Sequence, residues 1–208
     1  MSRLVAGHVS MLHRHRSARG DTTSGRSLVG VPDLATVVAV GPFDDLDHAN
    51  ELAAMFTDVQ PTCRTQLVLL GRGARRSLVV RRAAERALQV RLVLIDDCAG
   101  PQRSDLLAAA DLVIPSPDSA PSALVEVMAA GRAVVASAGP ATAALVMPHS
   151  AGLLYRPGDV SAMTAAVLRL LEHPALRNQM GSRASQVARD HRLQVLSRQW
   201  PDDQKKYA

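Results

Sequence analysis

The sequence predicts an α/β protein built on a doubly wound parallel sheet in a single domain. Strand-like and helix-like stretches alternate along the chain, and this order repeats five times before the last strand–helix pair. Such alternation is typical of parallel sheets whose helices cross from one strand to the next. Hydrophobic residues make up 47% of the 208 residues, but aromatic residues only 2%. The core is therefore expected to consist mainly of Ala, Val and Leu, packed tightly between sheet and helices.

The predicted strands are short, continuous apolar runs. A run without alternation indicates a strand that is buried on both faces, as in a parallel sheet covered by helices. The first five runs each end at Gly, Asp, Pro or Ser, residues that favour loops. In order, the strands are residues 34–40, 66–70, 90–95, 111–114, 133–136 and 152–155.

The predicted helices lie between these runs, and most have an apolar face with the spacing of an amphipathic helix. Residues 75–88 have a basic outer face, and residues 121–130 are apolar on nearly every side. In order, the helices are residues 45–56, 75–88, 103–110, 121–130, 140–146, 160–171 and 174–192. Ligands of open α/β sheets bind at the carboxyl ends of the strands, so the loops that follow residues 40, 70, 95, 115 and 136 are expected to line one crevice.

The helix at residues 121–130 contains a single charged residue, Glu126. Pro121 suits a first helical position, with Ser119 or Ala120 before it as the cap, and Gly131 ends the helix. A carboxylate in such a helix is costly unless a partner compensates it. Glu126 lies roughly 7 Å along the axis from the helix start, where free amides form an anion site. A ligand with a phosphate at this start can place a hydroxylated ring beside Glu126; the alternative is a glutamate at the rim that faces water.

The charge of +5 is concentrated in the first 31 residues. Five arginines oppose one aspartate there, and Ser, Thr and Gly disfavour stable structure, so residues 1–31 are predicted to be a basic, disordered segment. Residues 32–192 are predicted to form the domain, and residues 193–208 a C-terminal tail or helix extension. The low aromatic content disfavours nucleic acid as a partner, because base-binding modules stack bases on aromatic rings. Binding of duplex DNA by the arginine-rich segment remains an alternative.

The cysteine content and hydropathy indicate a cytoplasmic protein. Cys63 and Cys98 form neither a metal-binding spacing nor a disulfide framework. No apolar run approaches the roughly 20 residues that span a bilayer, and the N-terminus lacks the apolar region of a signal peptide. Peripheral membrane contact through arginines stays open.

Two motifs carry a resemblance to a known family. Residues 115–118 read Pro-Ser-Pro-Asp, seven residues separate Asp118 from Glu126, and residues 126–131 read Glu-Val-Met-Ala-Ala-Gly. Residues 152–159 read Gly-Leu-Leu-Tyr-Arg-Pro-Gly-Asp. The first resembles the donor-site signature of retaining glycosyltransferases with the GT-B fold, and the second resembles their Gly-Leu-Leu-Val-x-Pro-Gly-Asp motif. The resemblance runs from about residue 37 to residue 189 and is to the C-terminal, Rossmann-like half of such enzymes.

This resemblance implies a nucleotide-diphosphate sugar, such as a UDP- or GDP-sugar, as the substrate, and neither a metal nor another cofactor. By the family's pattern, Asp118 has the catalytic role of contacting the donor sugar, and Glu126 binds the ribose hydroxyls. The backbone around Ser119, Ala120 and Ser122 is implied to face the diphosphate. The loops after the first two strands add four candidate nucleotide contacts: Gly41, Gly71, Arg72 and Gly73.

Four departures from the family pattern leave an alternative open. Asp118 is one methylene shorter than the usual Glu, and Ala-Pro-Ser at residues 120–122 replaces Gly-Phe-Gly. The loop after Gly41 lacks the family's Arg and Lys, which neutralise the leaving diphosphate, and carries three aspartates; arginines 72, 75 and 76 are candidate substitutes. The chain also matches only one of two expected domains. It is therefore predicted either to need a partner chain that supplies the acceptor domain, or to be a catalytically inactive binding subunit or truncated copy.

Overall fold

The computed structural model describes residues 10–14, 34–85, 91–96, 98 and 100–199. Seven strands are present in this part of the chain: β1 (Ser10–Arg14), β2 (Ala35–Val40), β3 (Thr65–Leu70), β4 (Arg91–Ile95), β5 (Leu112–Pro115), β6 (Ala133–Ser137) and β7 (Gly152–Tyr155). The helices are α1 (Leu46–Val59), α2 (Arg76–Glu85), α3 (Pro101–Ala108), α4 (Pro121–Ala129), α5 (Pro140–Val146), α6 (Val160–Glu172) and α7 (Pro174–Gln199).

The strands form one sheet in the order β1-β4-β3-β2-β5-β6-β7, and every pairing is parallel. From β4 to β7 this is the 3-2-1-4-5-6 order of the Rossmann fold, with β1 added at one edge. The order reverses between β2 and β5, which pair directly, so the topological switch point lies at their carboxyl ends. The predicted fold class is confirmed.

Helices cover both faces of the sheet, which explains why the strands are continuous apolar runs. On one face, α1, α2 and α6 pack against alternate strand residues such as Val37, Leu67 and Leu112. On the other face, α3, α4 and α7 pack against the intervening residues, among them Val38, Val68 and Val113. Because successive residues of a strand point to opposite faces, both halves of each run are buried.

The last helix approaches the sheet closely because two glycines meet. A Cβ added to Gly181 of α7 would lie 2.3 Å from the carbonyl oxygen of Gly131, the residue that follows α4 and its C-cap. Gly131 has a positive φ of 70°, which lets the chain leave α4 and enter β6 within a few residues. This contact holds α7 against α4, the helix that carries Glu126.

The structure differs from the sequence prediction mainly at the ends of the chain. Residues 10–14 belong to the segment predicted to be disordered, but they form β1 and pair with β4. The remainder of residues 1–31, and residues 200–208, lie outside the described residues. The last helix continues to Gln199, seven residues past its predicted end at 192. None of the described helices is both long enough and apolar enough to cross a membrane.

Candidate functional site

A crevice of about 630 Å³ opens at the carboxyl ends of β2, β3 and β4, within the range of small-molecule sites. The residues that line it belong to the loops after these strands and to α3: Gly41, Pro42, Asp44, Leu70, Gly71, Arg72, Gly73, Ala74, Asp96 and Arg103. Four predicted site residues, Gly41, Gly71, Arg72 and Gly73, therefore lie together, but the loops after β5 and β6, which were expected in the same crevice, line a separate cavity.

A second, more apolar cavity of about 270 Å³ lies on the other side of the switch point. The ends of β5 and β6 and the starts of α4 and α5 form its walls, and Ser119 is the predicted site residue that lines it. The Ser119 hydroxyl is buried without a hydrogen-bond partner among the described residues. Asp118, Ala120 and Ser122 are exposed at the mouth of the site and line neither cavity.

The two glycine loops of the crevice are bonded to each other through their backbones. Phe43 N donates to the Arg72 carbonyl at 2.9 Å, and Arg75 N donates to the Phe43 carbonyl at 2.8 Å. A Cβ added to Gly73 would lie within 2.3–2.4 Å of backbone atoms of Phe43. Loop-to-loop packing is thus sufficient to require glycine at position 73. The nucleotide contact expected of these glycines stays a prediction.

The start of α4 is an open helix end. Ala120 is the N-cap residue and makes no side-chain cap, and Pro121 occupies the first turn. The preceding turn is held by the buried Ser116, whose carbonyl accepts from Ser119 N at 3.0 Å and whose hydroxyl accepts from Asp118 N at 3.3 Å. Exposed helix amides that no side chain caps can receive an anion.

The sequence left open whether Glu126 faces a ligand or stands at the rim of its helix facing water, and the structure shows a partly exposed side chain. The buried residues of that helix are Leu124, Val127 and Met128, which share one face at helical spacing. Glu126 projects between that face and solvent, with 47% of its side chain exposed. Its carboxylate is paired with Arg103 of α3, whose Nε lies 2.8 Å from Oε1. The desolvation cost of the Glu126 carboxylate is therefore offset by its pairing with Arg103, which also lines the crevice.

The acidic residues after Gly41 have structural roles. Asp44 accepts a hydrogen bond from Ala74 N at 2.8 Å, which ties the two crevice loops together. Asp45 caps α1 by accepting from Asp47 N at 2.7 Å and His48 N at 2.9 Å. Two of the three aspartates in this loop are thus explained by local folding.

Arginines from neighbouring elements supply the positive charge of the crevice. Arg72 is exposed at its wall. Arg76 donates to the Gly71 carbonyl at 2.7 Å and forms an ion pair with Asp96, so it fixes the shape of the loop. Arg75 is exposed and does not line the crevice. The described cations that line the crevice are therefore Arg72 and Arg103.

A buried polar cluster beside the site was not predicted from the sequence. Glu51 of α1 accepts from Gly158 N at 2.6 Å and from the Tyr155 hydroxyl at 3.3 Å, and His48 Nδ1 lies 3.6 Å from the same carboxylate. Burial lowers the pKa of His48 below its ordinary 6.5, and the carboxylates of Glu51, Asp45 and Asp118 oppose this shift. Burial, together with Glu51 and Asp45, raises the pKa of Tyr155.

The sequence contained a signal for part of this cluster. His48 and Glu51 fall at the spacing of the buried face of α1, which also contains Leu52 and Met55. Tyr155 also departs from the Val of the family motif. Within the described residues, no three His, Cys, Asp or Glu side chains come together in a group that could hold a metal ion.

The chain was compared with known families and proteins. A family model described as "Glycosyl transferases group 1" matches residues 35–173. No curated protein matches the chain significantly in sequence.

Several solved structures share the fold. Sucrose-phosphate synthase from Thermosynechococcus elongatus aligns with a TM-score of 0.64 at 23% identity, over 84% of this chain and 48% of that protein. HepE of Anabaena, solved with UDP and glucose, gives 0.67 at 20% identity, over 78% and 46%. WaaG, a glycosyltransferase involved in lipopolysaccharide biosynthesis, gives 0.61 at 20% identity, over 79% and 45%. The chain thus spans about half the length of these proteins, and identities at this level establish the fold alone.

Proposed function

Because the chain belongs to the group 1 glycosyl transferases, we propose that it is a donor-binding domain that holds a nucleotide-diphosphate sugar for retaining glycosyl transfer. One observation carries the proposal: Glu126 is bonded to Arg103, which lines the main crevice, and it lies in the same helix as the open start of α4. Such an arrangement offers a carboxylate for hydroxyl groups and amides for an anion within reach of one ligand.

In the proposed complex, the nucleoside occupies the crevice against the glycine loops and the ribose hydroxyls donate to Glu126. The diphosphate faces the backbone of residues 119, 120 and 122 at the start of α4. The exposed Asp118 positions the donor sugar, and its charge lies close enough to act on His48 inside the domain. The crevice volume of about 630 Å³ is adequate for the nucleoside.

The leaving diphosphate gains charge as the glycosidic bond breaks, so it requires nearby positive charge. The loop after Gly41 has no Arg or Lys, but Arg72 reaches the same crevice from the next loop. We assign the neutralising role to Arg72. Loss of one electrostatic contact of this kind in an enzyme costs on the order of 10²–10³ in rate.

We propose that transfer needs an acceptor-binding domain in addition to the described fold, which corresponds to about half of the related structures, and that a partner chain is a candidate source of it. The alternative is a catalytically inactive binding subunit. The observation that favours it is the loop after Gly41, whose Asp44 and Asp45 serve loop packing and helix capping. The absence of a metal or cofactor requirement, a cytoplasmic location and peripheral membrane contact remain predictions from the sequence and the family.

Calorimetric titration of the folded protein with UDP, GDP and their glucose and mannose conjugates tests the proposal. HepE was solved with UDP-glucose, which makes UDP-glucose a sensible first ligand. We expect binding by at least one of them, and a loss of roughly 10-fold or more in affinity for Glu126→Gln, because a hydrogen bond to a charged group contributes about 1.5–3 kcal/mol. Glu172→Gln, which alters an exposed carboxylate at the end of α6, should bind as the wild type does. No heat with any ligand at millimolar concentration would refute the proposal.

A further inference from the structure

Arg103 and Glu126 form an ion pair between two helices in which the two partners are unequally exposed. Arg103 lies on α3 and Glu126 on α4, 23 residues apart in the sequence. The Arg103 side chain is 15% exposed, whereas that of Glu126 is 47% exposed. The guanidinium is therefore the anchored partner and the carboxylate the accessible one.

Only one carboxylate oxygen takes part in the contact. Arg103 Nε donates to Oε1 at 2.8 Å, and within the described residues Oε2 accepts no hydrogen bond. Arg103 also lines the main crevice. One oxygen is thus held by Arg103, and because 47% of the Glu126 side chain is exposed, a ligand hydroxyl can approach the other.

An ordinary surface ion pair contributes little, because two long side chains must be held in one geometry in water. Here the largely covered position of Arg103 removes most of that freedom before any ligand arrives. A carboxylate whose rotamer is already fixed binds a hydroxyl without first losing side-chain entropy.

We infer that Arg103 is a positioning residue: it holds Glu126 through Oε1 so that Oε2 accepts a hydrogen bond from a ribose hydroxyl of the nucleotide. This inference rests on the proposed function and concerns the same site. It assigns ribose recognition to the pair and not to Glu126 alone. The opposite role, in which Arg103 occupies Glu126 and must be displaced by the nucleotide, makes the opposite prediction for the loss of Arg103.

The experiment measures the affinities of UDP and GDP against those of their 2′,3′-dideoxy forms. Comparing each ribonucleotide with its dideoxy form isolates the hydroxyl contacts, because base and diphosphate are the same in both. We expect the wild type to prefer the ribonucleotide about 10-fold. Arg103→Leu should lower the affinity for the ribonucleotide about 5- to 20-fold and leave the affinity for the dideoxy form nearly unchanged. Glu126→Gln should have the same effect. The double variant should bind the ribonucleotide no more weakly than the single variant with the lower affinity, because the two residues act as one unit.

Two controls separate this role from general effects of charge and folding. Arg183→Leu removes a positive charge from an exposed position of α7 and should leave the ribose preference intact. Arg103→Lys retains a charged donor with different geometry and should recover only part of the preference. Circular dichroism and the unfolding midpoint of each variant show whether it is folded.

Three results would overturn the inference. The preference for the ribonucleotide could survive in Arg103→Leu, both nucleotide forms could weaken equally, or the ribonucleotide could bind more tightly, as a blocking role predicts. In each case the wild type still binds a nucleotide, so the proposed function stands. If the folded wild type binds none of the four nucleotides, the proposed function fails, and this inference fails with it.

Discussion

Replacing Glu51 by alanine tests the buried cluster that joins α1 to the turn before α6. The substitution removes the acceptor of two donors, the Tyr155 hydroxyl and Gly158 N. Tyr155 is 2% exposed, so its hydroxyl would be left unpaired, at a cost of about 1–3 kcal/mol. Gly158 is exposed, so water can replace its partner and the loss there is about 0.5–1.5 kcal/mol. The free energy of unfolding should therefore fall by about 1.5–4.5 kcal/mol, the sum of these two costs.

Glu51→Gln is the matched control. Its amide oxygen can still accept from Gly158 N, and its amide nitrogen can donate to the oxygen of the Tyr155 hydroxyl, so the fall should be below about 1.5 kcal/mol. Urea unfolding followed by circular dichroism, with the slope of the transition compared between variants, measures both changes. A Glu51→Ala protein as stable as the wild type, or a Glu51→Gln protein destabilised as much as Glu51→Ala, would refute the reasoning.

Two further predictions concern packing and pH. Gly181→Ala should lower the free energy of unfolding by about 1–3 kcal/mol, because the new Cβ would lie 2.3 Å from the Gly131 carbonyl oxygen, and this clash outweighs the helix preference of alanine. In the control Gly139→Ala, the new Cβ would meet only Thr142 Oγ1 at 3.6 Å, so the free energy of unfolding should change much less. Equal effects of the two substitutions in urea unfolding would contradict the packing account. The pKa of His48 is 6.5 in the unfolded chain and lower in the folded protein, where the side chain is buried. Between these two pKa values the unfolded chain binds a proton at His48 and the folded protein does not. The free energy of unfolding should therefore fall as the pH decreases below 6.5, by up to about 1.4 kcal/mol per pH unit. His48→Gln should remove this part of the dependence, and an identical pH profile for the variant would show that His48 is not its source.

The sheet could be predicted from the sequence because its strands are buried on both faces. Short, continuous apolar runs such as residues 66–70 indicate buried strands when helical patterns lie between them. The alternation of strands and helices in turn indicates that the strands pair in parallel. The strand β1 could not be predicted in this way. Its five residues lie in a stretch dominated by arginine and histidine, and its pairing with β4 is a long-range contact that no local pattern contains.

The site was only partly predictable, for a related reason. Loops after parallel strands must meet at one edge, so Gly41 and Gly71 were correctly placed together from the strand order. The composition of its helix left the burial of Glu126 undecided, because burial depends on which face meets the sheet, and position 126 lies beside the buried face. The partner Arg103 belongs to a different helix, 23 residues earlier, and its proximity depends on how α3 and α4 pack over the sheet.

The central claim is that a nucleotide binds between the glycine loops and the start of α4. Titrating ¹⁵N-labelled protein with the tightest-binding of UDP and GDP, and following the backbone amide resonances, tests it most directly. The account predicts that the largest shifts fall on the amides of the non-proline residues in the ranges 41–44, 71–74 and 116–124, around the main crevice and the α4 start. Shifts confined to other surfaces, such as the outer faces of α6 and α7, or none at millimolar nucleotide in a well-dispersed spectrum, would contradict it.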